Sequence, residues 1–272
     1  MEKRPYRTNL SGLRGLYPLV QYFKNGQLPC VTAQKTISSQ AALRPALSQL
    51  KSLLNDSEAF WQCLENEVLV NRVKFPVLEH LAVHLNNWLE ENHKAALMKQ
   101  MADARYMSSY PVIGKLLQLK LPQNLVIAYD KAVAHIIQGD EWYVCDIISE
   151  RVFGEGTLKD FDQSLDLFKK MGDHENFWIQ RSIGIAAHYA TKKKLPKDQV
   201  EELLLLMLNH AYKTQYFTKK GIGWAGKTIA KYHPDLIRKH ETQMKATSLS
   251  RWFIGKVNTG LSMAKSAPFV YE

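Results

Sequence analysis

Apolar residues recur every three and four positions along most of the chain, from about residue 57 onward. Two clear stripes are Val77, Leu78, Leu81, Leu85 and Trp88, and Ile113, Leu116, Leu117, Leu119 and Leu121. This period is that of an α-helix with one buried face. No stretch shows the two-residue alternation, or the clustering of Val, Ile and Thr, that is typical of strands. The pattern therefore predicts an all-α fold.

Proline and glycine interrupt this helical pattern at regular intervals, and several lie where helix caps or first-turn prolines belong. The breaks are at Pro76, Pro111, Pro122, Gly139, residues 154–156, Gly172, Pro196 and Pro234. We therefore expect helices of roughly 12 to 18 residues that follow one another through short loops.

The helices are expected to come in pairs. Three landmarks, Asp146, Arg181 and Trp224, lie 35 and 43 residues apart. Periods near 40 are typical of HEAT-like helix pairs, which stack into a curved solenoid with a concave face for a long ligand. From the periodicity alone, a plain helical bundle is the alternative.

Composition changes this picture mainly at the ends of the chain. Residues 1–55 carry eight Lys or Arg with Glu2 as the only acid, so we expect a separate basic, helical N-terminal extension. Residues 56–245 form the predicted repeat domain, and residues 246–272 a basic C-terminal tail. The 36 basic residues outnumber the 26 acidic ones and give a net charge of +10. Such an excess suits a polyanion such as nucleic acid, although a solvated basic surface explains it as well.

The sequence also predicts where in the cell the protein is located. No apolar run approaches the roughly eighteen residues that span a bilayer, and the basic start lacks the apolar segment of a secretory signal. Cys30, Cys63 and Cys145 are odd in number and show no CxxC spacing, which indicates reduced thiols that serve packing. We expect a cytoplasmic, nucleoid-associated protein with no membrane contact.

Residues 221–228 match the phosphate-loop pattern GxxxxGK[ST] letter for letter. A phosphate loop must leave a buried strand, yet the residues before Gly221 are polar and include Lys219 and Lys220. Only 44 residues follow Thr228, too few for the rest of a parallel sheet. We therefore expect no nucleotide cofactor.

Three other patterns also favour ordinary structural roles. His80 and His84 lie one helical turn apart, but no third ligand is evident, so a half-exposed helix face is expected rather than a zinc site. Cys145 has no nearby histidine that could activate it as a nucleophile. Residues 192–194 are three lysines that predict a solvated helix end, although they could touch phosphates. No metal is expected.

Trp142 and Asp146 form a sharper combination, because their four-residue spacing places both on one helical face. An aromatic surface beside a carboxylate suits a cationic ligand. Taken alone, the pair is more typical of ordinary structure. Two further segments change that interpretation, namely residues 177–182 and residues 216–224.

With these segments the chain resembles the AlkD-type DNA alkylation repair enzymes, which are DNA glycosylases built from HEAT-like repeats. The resemblance runs from about Val73 to Lys245. Its most specific parts, in family order, are W-x-x-x-D at Trp142 and Asp146, W-[IL]-Q-R ending at Arg181, and F-x-x-K-x-I-G-W ending at Trp224. Residues 73–76 match the loop that precedes a helix in the family only weakly.

The resemblance implies roles for these residues. Asp146 would be the catalytic carboxylate, and Trp142 and Trp224 would flank the lesion nucleotide. Arg181 would grip the DNA backbone, and Lys227 would supply a second basic position. We expect Lys213, Lys219 and Lys220 to add phosphate contacts that carry no sequence preference. The expected partner is double-stranded DNA with a modified base, bound by a monomer that uses no cofactor.

The chain also departs from the family pattern. Glu141 stands where a second tryptophan is often found, and Lys227 stands in place of an arginine. Both ends of the chain lie outside the shared part. These differences bear on the choice of lesion more than on the fold.

Three functions stay open at this stage. The first is a glycosylase for cationic N3- or N7-alkylpurines, with Asp146 stabilising an oxocarbenium-like transition state and positioning water. The second is excision of a bulky or hypermodified base, for self-resistance to a natural product or defence against phage DNA; a neutral base would then need a proton donor. The third is a non-catalytic helical-repeat module that binds DNA or a protein.

Overall fold

The computed structural model describes residues 34–265. The described residues from Thr36 onward belong to one compact unit and are almost entirely helical, which confirms the predicted all-α class. The longer helices are α1 (Gln40–Ser52), α2 (Ser57–Leu64), α3 (Phe75–Trp88), α4 (Glu91–Ala104), α5 (Ser109–Gln118), α6 (Leu125–Gly139), α7 (Trp142–Ile148), α9 (Phe161–Gly172), α10 (Phe177–Lys192), α11 (Lys197–His210), α12 (Tyr216–Tyr232) and α15 (Arg251–Lys265). The shorter helices are α8 (Glu155–Lys159), α13 (Pro234–Lys239) and α14 (Glu241–Ala246).

Capping side chains and first-turn prolines mark where many of the helices begin. Side-chain oxygens accept hydrogen bonds from first-turn backbone N–H groups and so satisfy donors that have no partner inside the helix. The residues that cap helices in this way are Ser39, Asp56, Asn124, Asp160, Asn176 and Gln215. Pro76 and Pro234 lie in the first turns of α3 and α13, as predicted.

The helices after residue 90 come in pairs, which confirms the predicted helical repeat. Along the chain, α4 packs against α5, α6 against α7, α9 against α10 and α11 against α12. The second helix of each pair also packs against the second helix of the next pair, and these helices with α3 and α15 form one row. We call α3, α5, α7, α10, α12 and α15 the first row.

Helices α7 and α10 of the first row are parallel, because their contacts advance along both helices together. The sulfur of Cys145 lies 3.3 Å from the carbonyl oxygen of Trp178, and Gly154 meets Tyr189 further along the same two segments. Stacking equivalent helices of successive repeats side by side in this way buries one continuous core. The predicted stripes lie in that core, where Leu78, Leu81 and Leu116 are fully buried.

Two local features were not predicted from the sequence. Thr36–Ile37 and Arg72–Val73 pair as a short parallel bridge of strands, β1 and β2, so the expectation of no strand is wrong at this point. Helical bonding also widens to π-helical turns at Glu65–Leu69 and Ser149–Gly154. The bridge joins the segment before α1 to the segment before α3, and a two-residue pairing is too short to leave a pattern in the sequence.

The regions expected outside the repeat domain contribute to the same core. Helix α1 buries Leu43 and Leu50, and α15 buries Phe253 and Val257. The boundary expected after residue 55 therefore falls between two helices of one unit. Residues 246–272 include a regular helix, α15, which packs along α12. Residues 1–33 and 266–272 lie outside the described residues, and so do the predictions made for them.

Residues 221–228, which match the phosphate-loop pattern, lie wholly within α12. Their glycines allow close helix packing. A Cβ at Gly223 would come 2.7 Å from Nε1 of Trp252, and one at Gly226 would come 2.6 Å from the ring of Phe253. The helical structure of this segment confirms that it is not a phosphate loop.

Candidate functional site

Trp142 and Asp146 lie on one face of α7, as their spacing predicts. Trp142 is the first residue of the helix and its side chain is 48% exposed. The side chain of Asp146, one turn later, is 18% exposed. A large aromatic ring and a carboxylate thus face outward together on a short helix of the first row.

Arg181 of α10 holds the Asp146 carboxylate in a two-pronged ion pair. Its Nε donates to Oδ1 over 2.8 Å, and its Nη2 donates to Oδ2 over 2.9 Å. Its Nη1 donates to the carbonyl oxygen of Phe217 on α12, over 3.2 Å. Two parallel hydrogen bonds fix both the position and the rotation of the carboxylate. Three helices of the first row therefore meet at this guanidinium.

The surroundings of Arg181 differ from those expected of a residue that grips the DNA backbone. The residue is only 6% exposed, and its donors are directed to Asp146 and to a backbone carbonyl. Burial alone would lower its pKa, but the hydrogen bonds and charge of Asp146 outweigh burial and raise the pKa above its ordinary value. The geometry makes Arg181 a support for Asp146, a pairing that the spacing of the two residues does not predict.

Close packing of α10 and α12 brings this site together. Gly184 and Gly221 lie against each other, and a Cβ on either residue would collide with backbone atoms of the opposite helix. Glycine permits such a close approach because it has no side chain. The contact holds the backbone of α12 beside Arg181.

Trp224, the other predicted wall of the site, lies one turn beyond Gly221 and is half-buried. Its indole lies against the imidazole of His188, with ring centroids 4.3 Å apart. His188 is itself buried, and its Nδ1 lies 2.6 Å from Oγ1 of Thr228. Desolvation, together with the positive charges of Lys192 and Lys227, lowers the pKa of His188 to about 4. A neutral imidazole therefore supports the Trp224 ring.

Trp178 belongs to the same sequence motif as Arg181 but serves a different purpose. Its ring is buried against Phe177 and Phe217, with centroids 4.8 and 4.3 Å away. Its Nε1 donates to Oδ1 of Asp140 over 2.8 Å. Asp140 ends α6 in the left-handed conformation, with φ 50°, two residues before Trp142. The hydrogen bond thus fixes the turn from which α7 starts.

Glu150 is a second carboxyl group that the sequence interpretation missed. It lies four residues after Asp146, at the start of the π-helical turn, and is half-buried. Burial raises the pKa of its carboxyl above the ordinary value, and the nearby charge of Asp146 raises it further, while Arg151 and Lys192 oppose the shift. The four-residue spacing of Trp142, Asp146 and Glu150 was the signal that could have revealed it.

Residues with other possible chemistry have ordinary structural surroundings. Cys145 is fully buried, and desolvation followed by the charge of Asp146 raises the pKa of its thiol to about 12, so the expected packing role is confirmed. His80 and His84 contact each other, with Nε2 atoms 3.2 Å apart. Within residues 34–265 there is no group of three or more side chains arranged to hold a metal.

The lysines predicted to contact phosphate differ in their surroundings. Lys219 and Lys220 carry their ammonium groups over the ring of Tyr216, 5.7 and 4.2 Å from its centroid. Lys227 is half-buried on the same helix. Lys213 instead donates to the carbonyl oxygen of Gly172 over 2.5 Å, and burial lowers its pKa. The structure thus presents Lys219 and Lys220 near solvent and ties Lys213 to the backbone.

Several surface lysines elsewhere are paired with carboxylates. On helices outside the first row, Lys99 binds Asp103, Lys169 binds Asp166, Lys239 binds Glu201 and Lys245 binds Glu241, at distances of 2.6 to 2.9 Å. By contrast, no described carboxylate lies within ion-pair distance of Lys219, Lys220 or Lys256 of the first row. On α12 and α15, lysines without an ion pair to a described carboxylate therefore lie beside exposed aromatic rings.

Comparison with known proteins identifies the family of the chain. Residues 73–252 match the family model described as DNA alkylation repair enzyme, which covers more than half of the chain and includes α3 through α14. Searches of curated proteins and of solved structures gave no match. No helix in the described range is long and apolar enough to cross a membrane. The chain belongs to the DNA alkylation repair enzyme family.

Proposed function

We propose that this protein is a DNA glycosylase that hydrolyses the N-glycosidic bond of cationic N3- or N7-alkylpurines in duplex DNA and leaves an abasic site. The observation that carries the proposal is the Asp146 carboxylate. It is partly exposed, it is fixed in orientation by Arg181, and it shares its helical face with the exposed ring of Trp142.

The chemistry suits a single fixed carboxylate. As the bond from C1′ to the base breaks, its electron pair stays with the base and neutralises the positive charge there. Positive charge develops on the sugar at the same time, and a carboxylate near C1′ stabilises that charge. Water then forms the new bond to C1′, and its proton passes to Asp146 and on to solvent. A cationic base leaves without being protonated, so these steps need no cofactor.

Arg181 acts in this scheme as a positioning residue. A carboxylate on a free side chain would rotate and would lose part of its stabilising effect, because the reacting groups must keep a near-attack geometry. The two hydrogen bonds from Arg181 remove that freedom before DNA binds. This role replaces the expected grip of Arg181 on a DNA phosphate.

The two tryptophans give the site its preference for a cationic base. A cation over the face of an indole gains about 0.5 to 2 kcal/mol, depending on how far it is desolvated. Trp142 presents an exposed ring on α7, and Trp224 presents a half-buried ring on α12 that His188 supports from behind. A neutral, undamaged base does not receive this added attraction.

Lys219, Lys220 and Lys227 would bind DNA phosphates without reading sequence. Their charges are not neutralised by any described carboxylate, and they belong to the same helix as Trp224. Lys213 is a weaker candidate, because its ammonium already donates to Gly172. We propose that a monomer binds duplex DNA through this surface.

A second substrate class has one observation in its favour. Release of a neutral bulky or hypermodified base needs a proton on the leaving group, and Glu150 is a half-buried carboxyl group, one turn from Asp146, whose pKa is raised. Such a group could supply that proton. Replacing Glu150 by Gln would then slow release of a neutral base and leave release of a cationic base unchanged.

The test is incubation of the full chain with duplex DNA that carries N7-methylguanine, a bulky N3-adenine adduct or a glucosylated cytosine, followed by quantification of abasic sites. We expect release of the cationic purines by the native protein and loss of release in Asp146→Asn. Asp130→Asn is the matched control, because Asp130 is an exposed aspartate on α6 outside the first row.

The outcomes separate the three functions. Release that persists in Asp146→Asn would contradict the proposed mechanism. Release of only the bulky or glucosylated base would move the function to the second substrate class. Salt-sensitive DNA binding without release of any base would indicate a non-catalytic helical-repeat module.

A further inference from the structure

Helix α15 carries a large aromatic ring beside two lysines of α12 and α15 that have no ion pair with a described carboxylate. Trp252 is 36% exposed, whereas the next residue, Phe253, is 1% exposed and anchors the helix to α12. Because Phe253 provides the anchoring, the outward position of Trp252 is not needed to hold α15 in place.

The Trp252 ring has a fixed position. It lies across Gly223 of α12, where even a Cβ would come 2.7 Å from its Nε1. Further along, Gly260 of α15 packs directly on the backbone of Lys227. A ring held in this way loses little conformational entropy when a ligand stacks on it.

Lysines surround this ring. The Nζ atom of Lys256 lies 4.5 Å from the ring centroid of Trp252, and that of Lys219 lies 6.0 Å from it. The neighbouring ring of Tyr216 is 52% exposed and has Lys219 and Lys220 above it. These ammonium groups contact aromatic faces and have no ion pair with a described carboxylate, so an anion can recruit them without breaking a salt bridge.

We propose that Trp252, with Lys219 and Lys256, binds an unpaired nucleotide of the DNA, separately from the lesion site at Asp146. The base would stack on the indole, and the two adjacent phosphates would bind the lysines. An aromatic platform flanked by cations is the combination that recognises unpaired bases without sequence preference. The inference rests on the proposed function only in that DNA is the ligand.

The position of the site fits such a role. Trp252 lies one helix beyond Trp224 in the first row, and both rings flank the α12 segment that contains Gly223. If the duplex opens at a lesion bound by Trp224, its unpaired nucleotides would therefore lie close to Trp252 on the neighbouring helix α15. The second site would hold the DNA open while Asp146 acts.

The test measures fluorescence anisotropy of two labelled DNAs with the full chain: a fully paired duplex and the same duplex with one bulged nucleotide. We expect the native protein to bind the bulged DNA more tightly. Trp252→Ala should lose about tenfold in affinity for bulged DNA, the usual scale for one base–aromatic stack, and should keep its affinity for paired DNA. Trp252→Phe should retain most of the preference, because phenylalanine also offers a stacking face.

Two further variants serve as controls. Ile254→Ala removes another exposed apolar side chain of α15 and should change neither affinity. Lys256→Gln should weaken binding of both DNAs and lower the slope of log affinity against log salt by about one. Circular dichroism of each variant shows whether α15 is intact, and Trp252→Phe tests the site even if the alanine variant unfolds.

Three results would overturn the inference. They are equal binding of the two DNAs by the native protein, equal weakening of both DNAs by Trp252→Ala, and no effect of Trp252→Ala on either DNA. None of these results affects base release at Asp146. Failure of the native protein to bind any DNA would instead contradict the proposed function.

Discussion

Arg181 and Lys227 are both basic residues of the family-like motifs, yet their surroundings give them different tasks. Arg181 is buried with its donors on Asp146, whereas Lys227 is half-buried on α12. Sequence alone assigned a phosphate contact to both. Burial separates them, because a guanidinium that already makes two hydrogen bonds to a carboxylate has little capacity left for phosphate.

We therefore predict that Arg181→Lys lowers the single-turnover rate of base release by about a hundredfold, since a misplaced carboxylate loses the near-attack geometry. The salt dependence of DNA binding should stay unchanged. Lys227→Gln should do the opposite, with an unchanged rate at saturating protein and a salt slope reduced by about 0.9. A reduced salt slope in Arg181→Lys would show that Arg181 contacts phosphate after all.

His188 predicts a specific acid sensitivity. Its pKa is lowered to about 4 in the folded protein, whereas an unfolded histidine titrates near 6.5. Between these values the unfolded chain binds more protons, so the stabilisation by neutral His188 is complete above about pH 6.5 and is lost as the pH falls toward 4. The full loss is roughly 3 kcal/mol.

This prediction is checked by urea unfolding of the native protein and of His188→Gln across that pH range. The substitution also removes the contact with Thr228, so the comparison uses the change of unfolding free energy with pH and not its absolute value. The native protein should lose more stability than the variant as the pH falls. Parallel curves for the two proteins would show that His188 does not titrate differently in the folded state.

At the scale of elements, the contact between α10 and α12 decides how the site is assembled. Gly184 and Gly221 let the two backbones touch, which brings Phe217 within reach of Arg181. The helices themselves could be predicted from the three- and four-residue period of their apolar positions. The distance between the two helices could not be predicted. A glycine looks the same in the sequence whether another helix or water occupies the space beside its Cα.

Two glycine substitutions test this contact with opposite expected signs. Gly221→Ala should destabilise the protein by about 1 to 3 kcal/mol or more, because its Cβ would collide with the backbone of Arg181. Gly255→Ala in α15 should stabilise it by about 0.5 to 1 kcal/mol, because nothing lies within 4 Å of that Cβ and alanine favours helix. Chemical denaturation gives both values. Similar effects at the two sites would contradict the packing described here.

Over the whole unit, two sets of lysines differ in their partners. Lys99, Lys169 and Lys245 pair with neighbouring carboxylates. Lys219, Lys220 and Lys256 of α12 and α15 lie over aromatic rings. The net charge of +10 indicated a polyanion but could not indicate where it binds. The ring-supported lysines lie on the helices that carry Trp224 and Trp252, and we therefore propose this part of the first row as the DNA side.

A pair of triple variants checks this division. Replacing Lys219, Lys220 and Lys256 by Gln should weaken binding to duplex DNA and reduce the salt slope by about 2.7, which is 0.9 for each lost phosphate contact. Replacing Lys99, Lys169 and Lys245 removes the same charge from lysines with carboxylate partners and should change the slope little. Equal losses in the two variants would indicate attraction by net charge alone.

The sequence by itself determined the all-α class, the helical repeat, the positions of many caps and the family, because each depends on local spacing or on short motifs. It also placed Trp142 and Asp146 on one face, since four residues make about one helical turn. Only the tertiary structure decided which groups Arg181 contacts, that Trp178 fixes the start of α7, and that α15 continues the first row. Each of these depends on which side chains meet across about 30 to 40 residues of chain, and such contacts leave no period in the sequence.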